Sequence, residues 1–81
     1  MRIVWDEPKR QTNLQKRNLD FADLDIEFFN EARLFDAKLG RAMAIGYFEG
    51  HPTTVIFEPL GSEAISVISM RRASRKERRF L

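Results

Sequence analysis

Ile65-Ser-Val-Ile-Ser-Met-Arg-Arg-Ala-Ser-Arg-Lys-Glu-Arg-Arg79 is the stretch around which the rest of the chain is organised. Its first half, Ile65 to Met70, is a short apolar run rich in β-branched residues after a Gly61-Ser62 turn signal, which reads as a buried strand. Its second half holds six basic residues, Arg71, Arg72, Arg75, Lys76, Arg78 and Arg79. Among them Ser74 and Glu77 have the Ser-x-x-Glu spacing of a capping box, in which each side chain bonds the other residue's amide and a helix starts. A core strand therefore delivers the chain to Arg71, and an almost wholly cationic short helix follows. Fixed charges on a rigid strand suit a polyanion site; a solvated, frayed tail is the competing reading.

The chain has 81 residues, 43% of them apolar and 32% charged, which fits one globular domain spanning 1–81 with a barely sufficient core. It has no cysteine, so neither a disulfide framework nor thiolate chemistry is expected. No apolar run is long enough to span a membrane, and the opening Met1-Arg-Ile-Val-Trp-Asp6 lacks the apolar core of a secretory signal, so a cytoplasmic location is expected. Charge is unevenly spread. Residues 1–18 carry five basic and two acidic groups, 19–70 carry three and nine, and 71–81 carry six and one. If the termini meet, one basic face stands on an acidic body, suited to a phosphate backbone or to an acidic partner.

Read in order, Arg2–Trp5 is a short β-prone segment, an expected edge strand. Asp6 is placed to cap a helix from Glu7 to about Arg17, with Pro8 tolerated in its first turn. Lys9, Asn13 and Lys16 fall on one face of that helix, either solvated or turned toward something polar. Asp20 then looks like the cap of a second helix, with Leu19 and Leu24 as a hydrophobic staple and Phe21, Leu24 and Phe28 as its core stripe. Its acids, including Asp25, read as the solvated side. Arg33–Asp36 is a possible short strand. Ala42–Phe48, Thr53–Glu58 and Ile65–Met70 form an antiparallel meander, with a turn over Glu49–Pro52 and Pro59 ending the middle strand. The fold class is therefore α+β: two N-terminal helices, a meander sheet and a short basic C-terminal helix.

The single histidine, His51, falls in the expected turn, and no Cys or second His accompanies it, so a metal site is not expected. The glycines are too dispersed for a phosphate loop, and no cofactor is expected. An enzyme built from this set would work with Lys, Arg and carboxylates alone. RNA cleavage by its own 2′-hydroxyl suits those groups, because it needs in-line positioning, cations around the phosphate and two proton transfers. One well-placed donor is worth roughly 10²–10³-fold. A general acid or base is worth roughly 10²–10⁴-fold. Arginine is a poor proton donor, which leaves Lys9, Lys16 or a carboxylate such as Glu77 to move protons.

Two spaced motifs resemble the BrnT-type toxins of bacterial type II toxin–antitoxin systems. The family's N-terminal Trp-Asp-x-x-Lys-x-x-x-Asn-x-x-Lys is met by Trp5, Asp6, Lys9, Asn13 and Lys16. Its C-terminal Ile-Ser-x-Arg-x-Ala-Thr/Ser-x-x-Glu-Arg is met by Ile68, Ser69, Arg71, Ala73, Ser74, Glu77 and Arg78. The resemblance implies a RelE-like ribonuclease that inhibits translation and growth by cutting RNA. It also implies a ribbon-helix-helix antitoxin of the BrnA type, with operator DNA contacted only through the antitoxin complex. The site residues that follow are Lys9, Lys16, Arg71, Glu77 and Arg78 for catalysis, with Arg17, Arg72 and Arg75 on the RNA backbone. Relatives usually read Lys-His-Gly where this chain has Lys16-Arg17-Asn18. A non-catalytic basic module binding nucleic acid or an acidic protein is the alternative of a different class.

Overall fold

The structure, a computed structural model, describes residues 1–81. Five strands form one sheet: β1 (Arg2–Trp5), β2 (Arg33–Asp36), β3 (Ala42–Phe48), β4 (His51–Leu60) and β5 (Ala64–Arg72), in the spatial order β1-β5-β4-β3-β2. Strands β2 to β5 pair antiparallel, as a meander must, but β1 pairs parallel to β5. That one parallel pairing positions the whole site. Helix α1 (Glu7–Arg17) leaves β1, and the one-turn helix α3 (Arg75–Arg78) leaves β5, so both basic segments emerge from the same end of the sheet.

The first helix has Asp6 in the cap position with extended backbone, but its side chain makes no capping bond. Glu7 anchors the helix start instead, accepting from Trp5 Nε1 at 3.0 Å, Gln11 Nε2 at 3.0 Å and Arg10 Nη2 at 2.7 Å. Arg10 also bonds both Asp20 oxygens at 3.0 Å, which pins the chain beyond the helix. Asn18, left-handed at φ 57°, ends it.

The second helix starts at Ile26, not at Asp20. Asp20 caps only a 3₁₀ turn (Phe21–Asp23), and Leu24 is extended, which places both Phe21 and Leu24 in the core. Asp25, expected on the solvated side, caps α2 (Ile26–Glu31) by accepting from the Phe28 amide. A stripe at 21, 24 and 28 fits a continuous helix and an interrupted one equally, and the structure takes the second.

The sheet's core face carries Ala44, Val55, Phe57, Ile65, Val67 and Met70 against Leu19, Phe21, Leu24, Phe28 and Phe29. Gly46 lies beneath α2, where a Cβ would sit 3.1 Å from Ala32 Cβ and 3.2 Å from Phe28 Cε1. Strand β4 is longer than its sequence pattern: His51 opposes Phe48 as its first residue, and the chain continues through Pro59 to Leu60. The reversal needs only Glu49 and Gly50, at φ 51° and 81°, a pair of left-handed residues of the kind that closes two-residue hairpins. The opposite face carries Ile45, Thr54 and Arg71 in register. The chain beyond α3 crosses this face, and Phe80 meets Phe35 of β2 at a centroid distance of 4.7 Å. No helix is long and apolar enough to cross a membrane.

Candidate functional site

The capping box at Ser74 forms in both directions: the Glu77 amide donates to Ser74 Oγ at 3.1 Å, and the Ser74 amide donates to Glu77 Oε1 at 2.9 Å. The Glu77 carboxylate does more than cap. Thr54 Oγ1 donates to Oε1 at 2.8 Å, and Arg71 clamps both oxygens, Nη1 on Oε1 at 2.7 Å and Nη2 on Oε2 at 2.9 Å. The Arg71 bonds above all, helped by the Ser74 amide and the Thr54 hydroxyl, hold Glu77 well below the usual carboxylate range, at about 2. Glu77 raises Arg71 in return, so the guanidinium stays charged. Arg71 and Glu77 side chains are 33% and 15% exposed, which leaves the cation reachable and the carboxylate mostly enclosed.

The second feature is a cavity of about 400 Å³ between α1 and β5. Strand β1 covers β5 only as far as Val67, so the edge of β5 beyond it is open, and α1 lies along it. Lys9, Lys16 and Arg17 rim the cavity on the helix side, and Ile68 and Ser69 line it on the strand side. Ile68 occupies a β-bulge, where the register slips between Phe57↔Val67 and Ile56↔Ser69; bulges often re-aim chain beside functional sites. Asn13 closes the base. It is buried, donates from Nδ2 to the Leu19 carbonyl at 2.9 Å, and accepts the Met70 amide on Oδ1 at 3.1 Å. The polar stripe Lys9/Asn13/Lys16 thus divides its work: the lysines are exposed around the cavity and the asparagine fixes the helix to the strand.

The expected site residues are therefore partly gathered. Lys9, Lys16 and Arg17 share the cavity, whose strand-side residue Ser69 lies two positions before Arg71 on the same sheet face. Arg72 points to the other face, where its Nη1 donates to Thr53 Oγ1 at 3.1 Å. Arg75 and Arg78 are on α3, apart from the cavity lining. Reading the sequence missed Thr54, although a threonine among the apolar residues of a central strand is a visible sign of a buried polar bond. No three or more His, Cys, Asp or Glu side chains gather as metal ligands.

The family model described as "Ribonuclease toxin, BrnT, of type II toxin-antitoxin system" matches residues 5–77. The chain belongs to the BrnT family. That match takes in Lys9 through Lys16 and Arg71 through Glu77, and stops one residue short of Arg78. Among solved structures, the fold is similar to the crystal structure of the Brucella abortus ribonuclease toxin, BrnT. Identity to it is 62% and the TM-score 0.87, over 93% of this chain and 99% of that one. No curated protein matches. BrnT membership fixes the class, a ribonuclease toxin of a type II toxin–antitoxin system, and with it an antitoxin partner.

Proposed function

We propose that this BrnT toxin is a metal-independent endoribonuclease with a RelE-like arrangement, which inhibits translation in the cytoplasm by cutting RNA at the junction of α1, β5 and α3. The observation that carries this reading is the Arg71 guanidinium, a permanent cation locked by two bonds to Glu77, still partly exposed, and two positions along β5 from Ser69, which lines the cavity rimmed by Lys9, Lys16 and Arg17. In the proposed reaction the ribose 2′-hydroxyl gives its proton to solvent water as its oxygen attacks the adjacent phosphorus; the P–O2′ bond forms, the P–O5′ bond breaks, the departing 5′-oxygen takes up a proton, and a 2′,3′-cyclic phosphate is left. Arg71 and Arg78 take up charge on the non-bridging oxygens as it grows, the setting in which a fixed donor is most effective. Lys9 and Lys16 serve as further cations and as proton donors to the departing 5′-oxygen. Glu77 enters as the holder of Arg71, since a carboxylate receiving four donors and titrating at about 2 is a poor proton acceptor near neutrality. Arg17 and Arg75 grip the flanking backbone, Arg72 is left out because it turns to the other sheet face and bonds Thr53, and the restraining partner is a ribbon-helix-helix antitoxin of the BrnA type, through which alone operator DNA is reached.

Induced expression in a bacterial host tests this. Growth should stop with the wild-type protein, continue with Arg71→Ala produced in equal soluble amount, and recover when the antitoxin is co-expressed. Growth arrest that is undiminished in a folded Arg71→Ala protein would contradict the assignment.

A further inference from the structure

The hydrogen bonds around Arg71 select which edge of its guanidinium is on offer. A guanidinium has five N–H donors in a fixed plane. Nη1 gives one to Glu77 Oε1 at 2.7 Å and turns the other toward the Arg72 carbonyl at 3.4 Å, and Nη2 gives one to Glu77 Oε2 at 2.9 Å. What remains is the Nε–H and the second Nη2–H, which lie side by side and match two oxygens of one phosphate. That selection depends on the carboxylate's orientation. Glu77 Oε1 is tied on one side by its own capping turn and on the other by Thr54 Oγ1 at 2.8 Å. Thr54 is fully buried, so it touches no substrate, and it stands directly across from Arg71 in the β4–β5 register. The sheet therefore sets where the hydroxyl lies, the hydroxyl sets the carboxylate, and the carboxylate sets the arginine.

We propose that Thr54 is a positioning residue for cleavage, acting through Glu77 to keep the Nε/Nη2 edge of Arg71 facing the scissile phosphate. The inference rests on the ribonuclease reading for its consequence, but the restraint on Arg71 can be measured without any cleavage.

The test uses the full chain as wild type, Thr54→Val and Thr54→Ser, with two readouts. The first is steady-state cleavage of an RNA oligonucleotide. Thr54→Val should lower kcat by about ten- to a hundredfold, the scale of a slightly misplaced group, with KM within about twofold, and Thr54→Ser should restore most of it. The second is side-chain nitrogen NMR of Arg71, whose two Nη signals should be resolved in wild type and Thr54→Ser and merged by free rotation in Thr54→Val. Folded fraction is measured by circular dichroism in the same buffer. A Thr54→Val protein with wild-type kcat overturns the proposal. So does a loss of kcat that only tracks the folded fraction, or one that leaves the Nη signals resolved. If the wild type cleaves nothing while the NMR pattern holds, the ribonuclease reading fails and the positioning of Arg71 stands.

Discussion

Replacing Asn13 with alanine would remove two hydrogen bonds, one of them to an amide 57 residues along the chain, and leave their partners enclosed. The orphaned groups are the Leu19 carbonyl and the Met70 amide, both on buried core residues. Each orphaned buried group costs roughly 1–3 kcal/mol, which gives about 2–6 kcal/mol for the pair. A chain of this length is stable by only about 4–12 kcal/mol, so the variant should lose a large part of its stability. Urea unfolding followed by circular dichroism measures it, and with a slope of about 1 kcal/mol/M the midpoint should fall by about 2 M or more. Asn13→Asp sharpens the test. An aspartate keeps the acceptor for Met70 but loses the donor to Leu19 when ionised, and burial raises its folded-state pKa. Its deficit should therefore be smallest in acid and grow as the pH rises. A loss below about 1 kcal/mol in Asn13→Ala would refute the claim that this side chain bolts α1 to β5.

Three further outcomes follow from the same geometry. Gly46→Ala would push a methyl group to 3.1 Å from Ala32 Cβ and 3.3 Å from its Cα, and overpacking of this kind should cost about 1–3 kcal/mol in the same urea assay. Glu77, held at about 2 chiefly by Arg71, stabilises the fold as the ion. That contribution is complete above its ordinary value of 4.5 and is lost as the pH falls toward 2, so Glu77→Gln should flatten stability against pH in that window. Glu7, also held at about 2, titrates there too, so a reduced slope should remain. Single alanine substitutions at Arg17 or Arg75 should weaken RNA binding, and each should lower the salt slope by about 0.7 for every phosphate no longer neutralised, read from binding at several salt concentrations.

Most of the fold was legible where the signal is local. The meander strands announced themselves by composition and turn residues, and the Ser74/Glu77 spacing named a capping box that forms as written. The same kind of pattern failed at residues 20–25, because an apolar stripe records which residues are buried and not whether the backbone between them is continuous. Non-local pairings left no local mark. Nothing in Arg2–Trp5 says that it will lie parallel to Ala64–Val67, yet that pairing alone brings the two basic segments to one end of the sheet. Charge counting suggested that the two basic segments could meet, and the parallel pairing sets α1 and α3 at one end of the sheet.

The site was legible in the same uneven way. Helical spacing put Lys9, Asn13 and Lys16 on one face, and the cavity is where that face points. Asn13, on the same stripe, is a structural bolt because its partners lie beyond the end of its own helix and on a distant strand. The Ser74/Glu77 spacing gives Glu77 a structural job in the capping box, with a role as base left as the lesser reading. The bond that Glu77 accepts from Thr54 depends on a strand 23 residues away, which no local spacing encodes.

In the proposed mechanism cleavage relies on a protein cation, Arg71, and on no metal ion. Purified wild type and Arg71→Ala, incubated with RNA in excess EDTA, test it directly. The wild type should cleave at an undiminished rate, leaving 2′,3′-cyclic phosphate ends, and the folded variant should not cleave. Cleavage that stops with EDTA and returns with a divalent cation, or that survives in Arg71→Ala, would contradict it.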